Sequence, residues 1–368
     1  MHVILSREKI LKPLQMVLGV ADKKHTMAVL SCLLCEAKDG LFKITASDLE
    51  TEIVSEIEAI NIEISGQVAI PAKKMVDIIK SLPVGSDVEL KSEGDNRIIL
   101  SSNKSRFVLS ILDVAGFPVM DSDISPNHFE LPQSTLLEVI KKVQFSMAQN
   151  DVRYFLNGML WEVDHGVFRA VSTDGHRMSL VEVMITEISF DKAQIIVPRK
   201  SISELLKIIE PIEDTIQIEI GTHHFRIIAG STIFISKLID GRYPDYTRVL
   251  PKSNNKVLSA DKNGLKLALM RTAILSNEKY RGVRFNMETN LLKLSANNPE
   301  QEEAQDEIQV KYQDLPMEIG FNVSYLLDVM NAIEGEDVYL YFSDPKMSLL
   351  IKEKNIFNCQ YVIMPIRL

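Results

Sequence analysis

Hydrophobic and polar positions recur along this chain with a long period. Three segments share one pattern: Gly66-Gln67-Val68-Ala69-Ile70-Pro71, Ala193-Gln194-Ile195-Ile196-Val197-Pro198 and Met317-Glu318-Ile319-Gly320-Phe321-Asn322. Each is followed by apolar residues at i, i+3, i+4 and i+7, the stripe of a 3.6-residue helix: Met75/Ile78/Ile79/Leu82, Ile202/Leu205/Leu206/Ile209 and Leu326/Val329/Met330/Ile333. The copies lie 127 and then 124 residues apart. A second series keeps nearly the same spacing. Phe42–Asp48, Phe168–Asp174 and Leu292–Asn298 each read as an alternating strand ending in turn residues. Each unit also opens on a helical pattern: Ile10/Leu14/Val17, Leu136/Ile140/Val143 and Leu265/Leu269/Ala273.

Three ordered series at a constant offset predict three copies of one domain, 1–127, 128–254 and 255–368, with Pro126 and Ser253-Asn254-Asn255 in the connections. Each copy carries two helices and many short strands. That composition predicts an α+β fold with helices packed on antiparallel sheets. The length of 368 residues accommodates three such units.

Charge changes the picture more than composition does. The chain is 46% hydrophobic and 25% charged, ordinary for a globular protein, with net charge −9. The sum alone argues against tight nucleic-acid binding. Yet five of the six predicted helices carry a net +1 or +2 and the sixth −2, together +7, which leaves −16 on strands and loops. Lysines decorate many solvated helices. A basic helical surface in an acidic protein also suits a polyanion held by position, through phosphates and without base readout.

Candidate chemistry is sparse. The phosphate-loop, dinucleotide, HExxH and GxSxG patterns are missing from the sequence. Cys32 and Cys35 form a lone CxxC in an apolar run, Val29 to Leu34, that reads as strand, so small buried side chains are the expectation. His223 and His224, adjacent on a strand, would point to opposite faces. Thr173-Asp174-Gly175-His176-Arg177 occupies the strand-end turn equivalent to Ser47-Asp48-Leu49, but its His-Arg pair has no counterpart in the first repeat. The acidic run Glu300–Glu307 lacks calcium-loop spacing and reads as a solvated loop or an ionic contact. The N-terminal apolar run is too short for a signal-peptide core and no stretch has the length of a membrane helix, so a cytoplasmic protein is expected, with no membrane partner and no cofactor. Two function classes remain open: a DNA-encircling or DNA-bound scaffold, or an enzyme with an unrecognised site at a repeat interface, such as His176 and Arg177.

Longer motifs bring a family into view. Asp151-Val152-Arg153-Tyr154-Phe155-Leu156-Asn157-Gly158, Thr173–Arg177, Asp240-Gly241-Arg242-Tyr243-Pro244-Asp245-Tyr246, Ala273–Gly282, Asn297–Glu303 and the ending Tyr361–Leu368 together resemble the beta subunit of bacterial DNA polymerase III, the sliding-clamp family, over the whole length. Phe155, Met178 and Ile366 depart from the family's frequent tyrosine, leucine and methionine. They are apolar swaps of similar volume, which put only fine partner preference in doubt.

The resemblance implies a non-catalytic processivity factor that encircles duplex DNA as a head-to-tail homodimer of six domains, opened and closed by an ATP-hydrolysing clamp loader. It implies partners that share one pocket: the replicative polymerase alpha subunit, the clamp-loader delta subunit, and other polymerases and repair proteins. Expected at the dimer interface are Lys104, Arg106, Phe107 and Leu109 on an edge strand, against Ile274, Leu275, Glu300, Glu302 and Glu303. Expected near DNA are Lys24, Lys73, Lys74, Asn150, Tyr154, Phe155, Arg199 and Lys200. The partner pocket is expected from Leu156, Thr173, Gly175, His176, Arg177, Met178, Pro244, Arg248, Val249, Asn322, Tyr325, Val362, Met364, Pro365, Ile366 and Arg367. Pro365 cannot donate to a strand ladder, so the last residues are expected to leave the sheet.

Overall fold

A computed structural model describes residues 1–21, 27–120, 127–185, 188–190, 192–353 and 357–367. Lys24, the connection residue Pro126 and the terminal Leu368 lie outside the described residues. Six α-helices are described: α1 (Arg7–Val17), α2 (Ala72–Ser81), α3 (Gln133–Val143), α4 (Arg199–Leu205), α5 (Lys262–Ala273) and α6 (Val323–Ala332). Each begins three residues before the first apolar residue of its periodic stripe. Their caps follow from sequence: Asp261 accepts from Gly264 N (2.6 Å) to start α5, and Asn322 accepts from Ser324 N (2.9 Å) to start α6.

The chain packs as two compact units: 1–137 with 187–190 and 200–238, and 138–186 with 191–199 and 239–368. The first holds two antiparallel sheets. A five-stranded sheet runs in the order Asn61–Ile64, His2–Ser6, Asp87–Glu93, Arg97–Ser102, Ser105–Ser110. An eight-stranded sheet runs His128–Pro132, Thr215–Ile220, His224–Ala229, Thr232–Lys237, Thr51–Glu58, Leu41–Ser47, Cys32–Lys38, Gly66–Pro71. Helices α1 and α2 pack together, and the α1 stripe Ile10, Leu14 and Val17 is fully buried.

The second unit repeats the plan. Its eight-stranded sheet runs Lys192–Pro198, Gly158–Asp164, Val167–Thr173, Arg177–Met184, Asn358–Ile363, Leu349–Lys352, Asp337–Phe342, Lys256–Asp261. A four-stranded sheet runs Glu303–Gln309, Leu291–Asn297, Gly282–Glu288, Met317–Asn322. Helix α5 packs on α6.

In each unit the eight-stranded sheet takes four strands from the central repeat and four from a neighbouring one. Thr232–Ser236 pairs with Thr51–Ser55, and Arg177–Glu182 with Asn358–Ile363. Main-chain hydrogen bonding therefore continues across the repeat boundary, and compactness does not follow the repeat.

Three local expectations are corrected. Ala28–Ser31 forms a 3-10 turn and the strand begins at Cys32. Both cysteines are buried, and burial pushes the Cys35 thiol far up. His223 lies in a bend and only His224 is on a strand, so the opposite-faces argument does not apply to the pair. The second half of the acidic run, from Glu303, is an edge strand.

Candidate functional site

A groove in the second unit is built from four pieces. The first is the turn 173–177. Thr173 Oγ1 accepts from Gly175 N at 3.0 Å and donates to Arg177 O at 2.6 Å. Asp174 Oδ1 accepts from the amides of His176 and Arg177, at 2.9 and 3.0 Å. Gly175 has φ +88, and a Cβ there would lie 3.0 Å from the guanidinium of Arg153, so turn and packing both favour glycine.

The second piece is the chain end. The final strand stops at Ile363, as Pro365 predicts. Met364 N donates to His176 O and Ile366 N to Gly320 O, both at 2.9 Å. The last residues thus cross from the turn to the strand leading into α6. Met364 and Arg367 are exposed, while Pro365 and Ile366 are half-buried. The third piece is the start of α6, with Asn322 as its cap and Tyr325 half-buried. The fourth is the strap 240–250, in which Pro244, Arg248 and Val249 are exposed.

Arg177 ties these pieces together. Its Nε donates to Asp174 Oδ2 (3.0 Å), one Nη to Asp328 on α6, and the other to Phe145 O (2.6 Å). Its guanidinium carbon sits 4.4 Å from the Tyr325 ring centroid. All three nitrogens and one face are engaged, so Arg177 acts as a clasp here. Leu156, Met178 and Val362 belong to a buried cluster with Leu160, Leu180, Tyr243 and Tyr246. They form the floor beneath the groove, and Phe155 packs against the same cluster.

At the rim, Tyr154 meets Phe155 edge-on at 5.7 Å, and its ring also backs Gly241. Arg153 donates from Nε and Nη2 to Asp151 (3.0 and 2.8 Å), holding that carboxyl down at about 2. Sequence reasoning missed Phe145, Arg153, Asp174 and Asp328 as parts of this site. Asp174 was findable, because Asp48 caps the matching turn one repeat earlier. Phe145 and Asp328 carry no local signal.

The remaining expected residues fall elsewhere. Lys73 and Lys74 are exposed on α2, and Asn150 is exposed with φ +57. Arg199 is half-buried and donates to Met147 O at 3.1 Å. Lys200 is ion-paired to the buried Asp48. Several of these cations are neutralised by partners: Lys142 is buried with its ammonium 3.0 Å from Glu353, while Arg271 on α5 and Lys207, just past α4, are exposed but paired with Asp306 and Glu204. The formal helix charge therefore overstates what helices present outward. Ser105–Ser110 and Glu303–Gln309 are edge strands. Lys104 and Arg106 are exposed on or beside the first, and Glu300, Glu302 and Glu303 on or beside the second. Glu302 also accepts from Asn298 Nδ2 at 2.6 Å. Ile274 is 77% exposed and Leu275 half-buried, whereas Leu109 at 9% already lies in its own core, leaving Phe107 half-buried.

Paired helices, sheets shared between successive repeats and a groove closed by the chain end define a DNA-clamp architecture. Comparison with known proteins agrees. Family models of the DNA polymerase III beta subunit match residues 1–121 (N-terminal domain), 130–245 (central domain) and 247–367 (C-terminal domain). The beta sliding clamps of Pseudomonas putida and Escherichia coli K12 are each 44% identical to the chain, over all of it and all of their own length. A crystal structure of the DNA polymerase III subunit beta from Pseudomonas aeruginosa superposes with a TM-score of 0.97 at 43% identity, covering both chains fully. The chain belongs to the DNA polymerase III beta subunit family, the bacterial sliding clamps. It is a DNA sliding clamp, a processivity factor and a non-catalytic subunit of the polymerase III holoenzyme. The enzyme alternative at His176 and Arg177 is thereby set aside.

Proposed function

We propose that the three repeats, 1–127, 128–254 and 255–368, are three clamp domains, and that two chains close head-to-tail into a six-domain ring around duplex DNA. The edge strand Ser105–Ser110 of one chain would pair with Glu303–Gln309 of the other, setting Lys104 and Arg106 against Glu300, Glu302 and Glu303 and covering Phe107, Ile274 and Leu275. Two open edges of opposite charge support this reading, since a free edge is a liability that closure removes. Lys24, Lys73, Lys74, Asn150, Tyr154, Phe155, Arg199 and Lys200 would approach DNA through phosphates without reading sequence. The setting would be the cytoplasm; among the described residues no helix is long and apolar enough to cross a membrane.

The groove formed by Leu156, Thr173–Met178, Pro244, Arg248, Val249, Asn322, Tyr325, Val362 and Met364–Arg367 would receive short linear motifs. These motifs carry a glutamine and two bulky apolar residues. They would come in turn from the polymerase alpha subunit, the clamp-loader delta subunit, and other polymerases and repair proteins. The observation that carries this reading is the chain end: Met364 is held exposed between His176 O and the strand before α6, a flexible apolar wall beside polar flanks. The ring is tested by loading the protein onto nicked circular DNA with a clamp loader. Retention on the circle and loss on linearisation are expected. Equal retention on both forms would refute encirclement.

A further inference from the structure

The strap 240–250 is anchored from behind by a polar chain that the groove itself does not use. Tyr243 and Tyr246, three residues apart, are buried, while Pro244, Arg248 and Val249 face outward. Asp245 stiffens the turn between them by accepting from Thr247 N at 3.2 Å and Arg248 Nε at 3.0 Å. Behind the strap lies a polar cavity of about 510 Å³, walled by the strap on one side and by Glu162, Arg169, Glu182 and Gln194 on the other. The Tyr246 hydroxyl donates to Glu162 Oε1 at 2.8 Å. Arg169 donates to the same oxygen at 3.1 Å and, through Nε, to Glu182. Gln194 donates to the other Glu162 oxygen, and Asn358 Nδ2 to Glu182.

The order of this chain matters. It starts on the strap, crosses strands Gly158–Asp164, Val167–Thr173 and Arg177–Met184, and ends at Asn358, the first residue of the strand whose last residue precedes Met364. One network therefore ties the strap to the three strands beneath the groove and reaches the final strand at Asn358, the end away from Met364. Glu162 is buried and accepts from Tyr246, Arg169 and Gln194, so its loss leaves three donors without their partner.

We propose that Tyr246, acting through Glu162 and Arg169, is a positioning residue that fixes the strap wall of the groove against the strands beneath it, so that motif affinity depends on a hydroxyl that touches no motif. The proposal rests on the groove reading above. It is tested on the full chain by fluorescence polarisation, using a labelled peptide that carries a glutamine and ends in Leu-Phe. Tyr246→Phe keeps the buried ring and removes only the hydroxyl. It is expected to weaken binding roughly ten-fold, the scale of a hydrogen bond to a charged group. Glu162→Gln keeps one acceptor oxygen for the Tyr246 hydroxyl but sets its NH2 against Gln194, and is expected to lose less than Glu162→Leu, which falls as far as Tyr246→Phe. The double variant Tyr246→Phe/Glu162→Leu is expected to fall no further than either alone, because both break one link. Amide hydrogen exchange across 243–249 should quicken in Tyr246→Phe while that of α5 and α6 stays unchanged, which a general loss of stability would not give. Tyr246→Phe binding like wild type overturns the proposal on its own, even if Glu162→Leu fails to fold. Additive losses in the double variant also overturn it. A wild-type chain that does not take the peptide overturns the groove reading, and the proposal with it.

Discussion

The turn 173–177 and its counterpart 47–51 have nearly the same backbone and opposite surroundings. In both, an aspartate caps two amides: Asp174 those of His176 and Arg177, Asp48 those of Glu50 and Thr51 at 2.9 and 2.6 Å. In both, the next carbonyl but one receives an amide from the end of a strand one repeat on, Met364 N to His176 O and Lys237 N to Glu50 O. The side chains then diverge. The groove-side Arg177 is Thr51 in the first turn, and the apolar floor residue Met178 is Glu52. Glu52 is only 2% exposed and accepts from Met120 N at 2.9 Å, so the end of the first repeat is drawn over this site. Asp48 is held by Lys200 rather than by an arginine clasp. The repeat supplies a scaffold twice, and a handful of side chains set an apolar floor with an arginine clasp at one copy and a polar closure at the other.

The largest effect separating the two regions should come from Lys142. Its ammonium is buried between Glu353 and Ala332 O. One repeat earlier the position is Met16, lining a cleft of about 460 Å³. Lys142→Met should cost about 3–5 kcal/mol, because it leaves the Glu353 carboxylate buried without its partner. Lys142→Met with Glu353→Ala, which copies the matching positions Met16 and Ala229, should recover part of that in denaturant unfolding. A single variant as stable as wild type would mean that the pair is not a lock.

Next comes the clasp. Arg177→Ala removes hydrogen bonds to Asp174, Asp328 and Phe145 O and the face contact with Tyr325. Motif-peptide affinity should fall at least ten-fold by fluorescence polarisation while the chain remains folded, since a charged hydrogen bond contributes about 1.5–3 kcal/mol. The matching change Thr51→Ala should leave affinity untouched.

Glu52 offers a pH test. Burial raises its carboxyl pKa above the ordinary value, outweighing the Met120 amide that lowers it. The folded chain therefore keeps this proton to higher pH than the unfolded chain does. Its contribution is full in acid and is lost as pH rises through the folded value. Glu52→Gln should accordingly melt above wild type at pH 7, with the gap closing toward the ordinary carboxylate pKa. A gap that widens in acid would contradict the assignment.

The smallest effect concerns backbone strain. Leu49 sits at φ +73 where the second repeat has Gly175 at φ +88. Leu49→Gly should be neutral to stabilising by up to about 1 kcal/mol in thermal unfolding, as the left-handed penalty and the entropy of glycine partly cancel. A clear loss would show that the leucine side chain supplies packing that outweighs its strain.

Much of this was legible in the sequence. The i, i+3, i+4, i+7 stripes fixed the helices, the alternating segments fixed strands, and Pro365 foretold where the last strand ends. The family motifs supplied the residues proposed for the groove. What stayed hidden depends on partners far apart in the chain. Arg177 meets Asp328 and Phe145 only after folding, and Lys142 looks like any solvated helix lysine until Glu353 arrives beside it. The same limit inflated the helix charge. Sheet continuity between repeats was equally invisible, because an edge strand and a shared strand alternate in the same way.

The central claim is that one of two matching scaffolds binds and the other is closed. Calorimetric titration of the full chain with the glutamine and Leu-Phe peptide tests it directly. The account predicts one peptide per chain, binding abolished by deleting Met364–Leu368, and no change on Lys200→Ala at the matching site. Two peptides per chain, or full affinity after the deletion, would contradict it.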